Sequence, residues 1–417
     1  MKELFIMKYT PQKIFKTIDD FPYDRTSVSQ SELDLDIKER KSLFPWRGQF
    51  SPCLIELFLD RYSKPDDVIF DPFAGSGTTL FESARKNLKC YGAEINPSAI
   101  TMSKTVEFIN MSTEDREKLC NAALLLLKKY IRESNYDLFN MDLYEEKSAP
   151  FEIAFKKMLN ESPNSQVINI LTNALIRFKS YRGKKALEDY YKALHEHIKI
   201  IKNLPYSENI CEVFHTDARS IPLANDSVDL IITSPPYINV FNYHQNNREA
   251  MEFVGWNVLE VAKSEMGSNR KHRQNRFLTV IQYSMDILEA LIEMRRLLTP
   301  SGRVIIVVGR ESKIRGVPLK NGRLVAALAY GGAGFKIENM QERKFTNKFG
   351  ELIYEDIIHL TPSNTSVLDE SYAKNMANEL LKEALIMEKD ENIRIEILNA
   401  INKSDSVKKS PIFEMDF

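Results

Sequence analysis

Asp67-Val68-Ile69-Phe70-Asp71-Pro72-Phe73-Ala74-Gly75-Ser76-Gly77-Thr78-Thr79 is the stretch on which the reading of the fold turns. Its first half is a short apolar run suited to a strand, and Thr78-Thr79 opens a helix that the pattern carries to about Asn87. Glycines in a strand-to-helix turn let a ligand approach the backbone while the first helical N–H groups face it. The arrangement suits a nucleotide-like ligand. Two familiar variants do not fit. The turn has no Lys of a phosphate-cradling loop, and Leu80 stands where a dinucleotide fingerprint needs its third glycine.

The next strand, Lys89-Cys90-Tyr91-Gly92-Ala93-Glu94-Ile95, brings Glu94 17 residues beyond Gly77. That is close to the spacing at which a carboxylate grips ribose hydroxyls in nucleotide-binding α/β units. A third strand is expected over Cys211-Glu212-Val213-Phe214-His215-Thr216-Asp217. A fourth, Val228-Asp229-Leu230-Ile231-Ile232, runs into Thr233-Ser234-Pro235-Pro236-Tyr237. Two prolines cannot prolong a strand, since neither offers an N–H and each holds the preceding residue extended, so Ser234 sits on a stiff turn with Tyr237 beside it. Taken alone, this turn is an ordinary strand terminator. Beside the glycine turn it gains meaning, because Asp71, Glu94, Asp217 and Ser234 then end four strands of one mostly parallel sheet. Such sheets bind ligands at their carboxyl ends.

Composition sets the wider frame. The 417 residues allow two or three domains, and 43% apolar with 28% charged residues is ordinary for a globular protein with a large core. A net charge of −1 advertises no polyanion partner, so nucleic-acid binding has to come from local patches. The start of the chain lacks the pattern of a secretory signal, and the run Val304 to Val308 is too short to cross a bilayer. A cytoplasmic protein with no membrane partner is expected. Cys53, Cys90, Cys120 and Cys211 lack metal-ligand spacing and read as core thiols, so no metal site is expected.

Residues 1–43 read as a polar arm with little structure of its own. Phe44-Pro45-Trp46-Arg47-Gly48-Gln49-Phe50-Ser51-Pro52 follows, with Ser51 and Pro52 suited to start a helix and three aromatics that either line a pocket or staple that helix. Residues 105–207 lose strand character and read as a helical insertion. Within it Arg177-Phe178-Lys179-Ser180-Tyr181-Arg182-Gly183-Lys184-Lys185 carries five basic residues and no acid. Lys179, Arg182, Lys184 and Lys185 are candidate phosphate contacts, against the plainer reading of a solvated face. A second patch, Arg270, Lys271, Arg273 and Arg276, follows the proline turn and is interleaved with Asn and Gln that suit base edges. A long helix over 277–298, a strand over 302–309 and a late hairpin over 335–345 and 352–360 complete the pattern. Residues 363–417 form a charged helical tail to which no chemistry is assigned.

The pair of motifs, Asp71 to Thr79 with Thr233-Ser234-Pro235-Pro236-Tyr237, resembles the amino-methylating DNA methyltransferases that use S-adenosylmethionine. The resemblance covers 44–96 and roughly 210–362. It implies a Rossmann-like class I methyltransferase sheet, mostly parallel with a late antiparallel hairpin. The catalytic domain then comprises residues 44–104 and 208–362, and the insertion at 105–207 becomes a candidate target-recognition region. It further implies that Phe50 and Ser51 meet the methionine end of the cofactor, that Asp71, Phe73, Gly75, Gly77 and Thr78 surround it, that Glu94 holds the ribose and that Asp217 approaches the adenine. Ser234, Pro235, Pro236 and Tyr237 would carry the target amine, with Tyr237 stacked on a base flipped out of double-stranded DNA. Ser at the first position of that turn resembles enzymes acting on cytosine N4. Asp or Asn there is more typical of adenine N6, which stays as the alternative. Cys53 precedes the cofactor turn, so a cysteine nucleophile of the cytosine-carbon type does not fit. An RNA base amine methylase and a catalytically idle DNA-binding subunit are the competing readings. The first lacks a legible RNA-binding domain and the second is disfavoured by intact motifs. No nuclease motif is legible, so a restriction endonuclease or other defence-system subunit would be a separate chain.

Overall fold

A computed structural model describes residues 10–35, 40–46, 48–133, 150–178, 186–238, 242–268, 272–347 and 350–414. Its centre is a seven-stranded sheet of β1 (Val68–Asp71), β2 (Lys89–Ala93), β3 (Cys211–Phe214), β4 (Val228–Thr233), β5 (Leu298–Gly309), β8 (Phe335–Thr346) and β9 (Leu352–Pro362). A separate two-stranded ribbon is made by β6 (Ser312–Ile314) and β7 (Val317–Leu319). The order across the sheet is β3-β2-β1-β4-β5-β9-β8. β1 to β5 run parallel, while β9 pairs antiparallel with both β5 and β8. This is the mostly parallel α/β sheet expected from the sequence, late antiparallel hairpin included.

The strands are apolar on both faces because both faces are covered. Ile69, Cys90, Leu230, Ile232, Ile305 and Val307 point into one core, which they share with the Pro52–Tyr62 helix and with Phe151, Leu171 and Tyr190 of the 105–207 helices. Phe70, Ala93, Ile231, Val304, Ile306 and Ile358 point into the other, filled by the Leu278–Leu297 and Asn321–Gly332 helices and the tail. The insertion therefore shares a core with the sheet.

The expectation for residues 1–43 needs correction. Pro11–Asp19 is a helix capped by Thr10, and it buries Ile14, Phe15 and Ile18 in the second core. Gln30–Asp34 is a short helix whose Ser29 and Glu32 form a capping box. Between them Asp24 accepts from the Thr26 and Ser27 N–H groups, and Asn339 and Gln341 of β8 tie the segment down. These elements are one to three turns long, too short for their apolar spacing to stand out among the charges, and tertiary packing stabilises them.

The tail is likewise integrated. Glu370–Met387 packs on Leu278–Leu297, followed by Glu391–Asn402 and an extended strap to Glu414. No helix among the described residues is long and apolar enough to cross a membrane.

Candidate active site

Strand order reverses between β1 and β4: the chain leaves β1 for β2 on one side and returns through β4 on the other. The crevice at such a switch point is where open α/β sheets bind ligands. Here it is an open cleft at the carboxyl ends of β1, β2 and β4. Phe50, Asp71, Phe73, Gly75, Thr78, Glu94, Asp217, Ser234 and Pro236 all line it. Ser51, Gly77, Pro235 and Tyr237 are not among the lining residues.

Asp71 ties the two turns together. Its carboxylate, 1% exposed, accepts from Thr79 Oγ1 at 2.7 Å, from Thr233 Oγ1 at 2.6 Å and from the Phe73 N–H at 3.1 Å. Thr233 immediately precedes Ser234, so one acid clamps the glycine turn to the proline turn. Burial pushes the Asp71 carboxyl up to about 6 against the pull of those three hydrogen bonds.

Glu94 is the second buried acid. Its Oε2 accepts from the Gly75 N–H at 2.9 Å and its Oε1 from the Asn96 N–H at 2.7 Å. Burial pushes its carboxyl up to about 7, again opposed by those N–H groups and reinforced by Asp71. The Ile95 N–H also reaches the carboxylate, whose remaining acceptor capacity can take hydroxyl donors. Gly75 has φ +52°, and a Cβ there would come within 3.2 Å of Trp46 Nε1. Gly77, at φ +89°, is required for a different reason: a Cβ there would press on Ser103 at 3.0 Å. It seats the Pro97–Ser103 helix and does not face the cleft.

Asp217 reaches the cleft with its carboxylate already engaged. Oδ1 accepts from the Arg219 N–H and Nε at 3.0 and 2.8 Å, and Oδ2 from Arg219 Nη2 at 2.7 Å and the Phe413 N–H at 3.0 Å. Arg219 also donates to Ser410 O, Pro411 O and Asp286. The tail, assigned no chemistry from the sequence, thus holds Asp217 from behind, and none of its residues lines the cleft. Phe413 packs there on His215, 4.9 Å between ring centres.

Of the aromatics in 44–50, Trp46 and Phe50 line the cleft, while Phe44 is buried against Phe81 and His197. Tyr243 stacks on Trp46 with centroids 6.3 Å apart, and its carbonyl accepts from Asn96 Nδ2. Glu265 and Met266 complete the wall. Glu265 Oε2 lies 2.7 Å from His244 Nδ1, and both side chains are buried. Sequence reasoning missed Asn96, Tyr243, Glu265 and Met266. The last three follow the proline turn without a strand or glycine signal to mark them.

Tyr237 lies outside the cleft lining. Its ring lies over Gly309 at the end of β5, where a Cβ would come within 3.0 Å of the ring, and its hydroxyl donates to Glu355 Oε1 of β9 at 3.1 Å. The ring face is spent on the protein, and stacking on a base requires it to leave that seat.

The basic patches separate. Arg177, the first of the five basic residues in its run, turns inward, donating to Leu43 O and covering the Phe44 ring. Lys179, Arg182, Lys184 and Lys185 lie outside the described residues, as do Arg270 and Lys271. Arg273 and Arg276 are described and exposed.

A family model described as DNA methylase matches residues 11–105. The type II methyltransferase M.MjaII of Methanocaldococcus jannaschii is 21% identical over 72% of this chain and 76% of its own. M.AvaI of Nostoc sp., also a type II methyltransferase, is 22% identical over 55% of this chain and 57% of its own. Among solved structures, a SAM-dependent methyltransferase of Methanosarcina mazei is 13% identical, covering 75% of this chain and 98% of that one with a TM-score of 0.35. The family match and the type II relatives support a DNA amino-methyltransferase, and with the fold they imply S-adenosylmethionine as cofactor.

Proposed function

We propose that this chain transfers the methyl group of S-adenosylmethionine to the exocyclic N4 amine of a cytosine flipped out of double-stranded DNA. The observation that carries the reading is the Thr233–Asp71–Thr79 clamp, which joins the proline turn to the glycine turn so that Ser234 and Glu94 face one cleft. Glu94 takes the ribose hydroxyls, and Phe50, Phe73, Gly75 and Thr78 surround the methionine portion. Asp217, held by Arg219 and the tail, gives the adenine end its shape. The bound cofactor supplies an electrophilic methyl group on a sulfonium.

An exocyclic amine delocalises its lone pair into the ring and attacks poorly. Ser234 Oγ and a carbonyl of the proline turn accept its hydrogens and aim the nitrogen at the methyl group, favouring the pyramidal nitrogen of the transition state. The amine is paired inside a duplex, so the base leaves the stack to reach the cleft. Ser at position 234 favours cytosine N4 over adenine N6 within this family of turns. The relatives' designation as type II methyltransferases supports a place in restriction-modification or phage defence, with the endonuclease on a separate chain.

Nucleoside mass spectrometry of methylated duplex DNA tests the assignment. The expected product is N4-methylcytosine, and Ser234→Ala lowers the single-turnover rate while leaving cofactor affinity nearly unchanged. N6-methyladenine alone overturns the base assignment and spares the reaction class. A fully active Ser234→Ala overturns the role of the turn.

A further inference from the structure

Ser234 Oγ lies 3.4 Å from Tyr237 OH, and Tyr237 OH donates to Glu355 Oε1 at 3.1 Å. A tyrosine hydroxyl has one proton. With that proton given to Glu355, the Tyr237 oxygen can only accept, so the Ser234 proton turns toward it and the serine lone pairs are left for the cleft. The seat is built for this pose. Gly309 leaves room for the ring, and Gly267, at φ +69°, would bring a Cβ to 3.1 Å from the Tyr237 carbonyl.

Resting on the functional reading above, we propose that Ser234, Tyr237 and Glu355 form a hydrogen-bonded relay that removes the proton of the target amine. As the nitrogen bonds to the methyl carbon, the carbon–sulfur bond breaks with its electron pair left on sulfur, and one N–H proton passes to Ser234 Oγ. The serine proton passes to the Tyr237 oxygen and the tyrosine proton to Glu355 Oε1. Glu355 ends neutral and is reset by exchange with solvent. The first link, 3.4 Å, is long for two hydroxyls and tightens when the amine is in place, as catalytic hydrogen bonds do on substrate binding. Glu355 reaches the amine only through the two hydroxyls, so it is a positioning residue.

Its surroundings suit that end point. The Glu355 side chain is 14% exposed. Burial raises its carboxyl above the ordinary range, and neighbouring Asp356 adds to this, while Arg343 Nε of β8, 3.5 Å from Oε2, and the Tyr237 hydroxyl pull it down. The partner residue on β5 is the uncharged Gly309. The relay runs only with Glu355 ionised, so methylation rises with pH through its titration and levels off above it.

The experiment is single-turnover methyl transfer to duplex DNA against pH, with labelled S-adenosylmethionine saturating at every pH so that Glu94 titration does not enter, for the full chain and for Tyr237→Phe and Glu355→Gln. Each variant is expected to be about a hundredfold slower. Each also loses the acidic limb of the profile and keeps its calorimetric cofactor affinity. A Tyr237→Phe enzyme with wild-type rate and profile overturns the relay, since the hydroxyl would then carry no proton. Slowed variants that retain the acidic limb overturn it as well, because they mark a structural role. If Glu355→Gln does not fold, Tyr237→Phe decides. A wild-type chain that methylates no DNA overturns the functional reading and the relay with it.

Discussion

If Glu94 holds the cofactor's ribose as proposed, it makes cofactor binding pH-dependent in a direction that its raised carboxyl sets. With its carboxyl pushed up to about 7, the free protein holds Glu94 about half protonated at neutral pH. Ribose hydroxyls are donors and favour the ionised form, so binding releases a proton. Below about 7 the affinity approaches a tenfold loss per pH unit; between pH 8 and pH 6 it falls about tenfold, or about 1.4 kcal/mol. Calorimetry in two buffers of different ionisation enthalpy measures both the affinity and the roughly half proton released at pH 7. Glu94→Gln removes a charge-assisted hydrogen bond of about 1.5–3 kcal/mol and should abolish the pH slope. Stability moves the other way. A carboxyl raised from 4.5 to about 7 binds more protons folded than unfolded in that window, so the contribution of Glu94 to stability is fully present below 4.5 and is lost as pH rises through about 7. Cofactor affinity that is flat with pH, or unchanged in Glu94→Gln, removes Glu94 from the ribose site.

Arg219→Met leaves Asp217 and Asp286 buried without their shared cation, which should cost about 3–5 kcal/mol and lower the melting temperature steeply. A melting temperature near wild type would mean the tail and solvent compensate. For DNA, Arg273→Ala and Arg276→Ala should each lower the slope of log affinity against log salt by about 0.9 if each arginine meets a phosphate. The fourfold alanine variant at Lys179, Arg182, Lys184 and Lys185 tests the other patch by the same titration, and whichever set leaves the slope untouched is a solvated face.

Local chemistry carried much of this protein's design. Strands β1 to β5 and the turn at Gly75 were readable because each strand is an apolar run, because Pro72 after β1 and Pro235 after β4 offer no N–H, and because Gly75 takes positive φ. Glu94 was readable from its distance along the chain to Gly77, since a strand and a turn of fixed length place it. What folding alone decided depends on residues far apart in sequence. Thr233 bonds to Asp71 because β1 and β4 are neighbours in the sheet, and Phe413 meets Asp217 because the tail returns across the Leu278–Leu297 helix. The pose of Tyr237 follows from the same cause. Its seat is Gly309 and its partner Glu355, a cross-strand pair of β5 and β9 lying more than 70 residues downstream of the tyrosine. A hydrogen bond between such positions has no local signature, because neither residue needs the other to adopt its backbone conformation. Only closing the sheet brings them within reach.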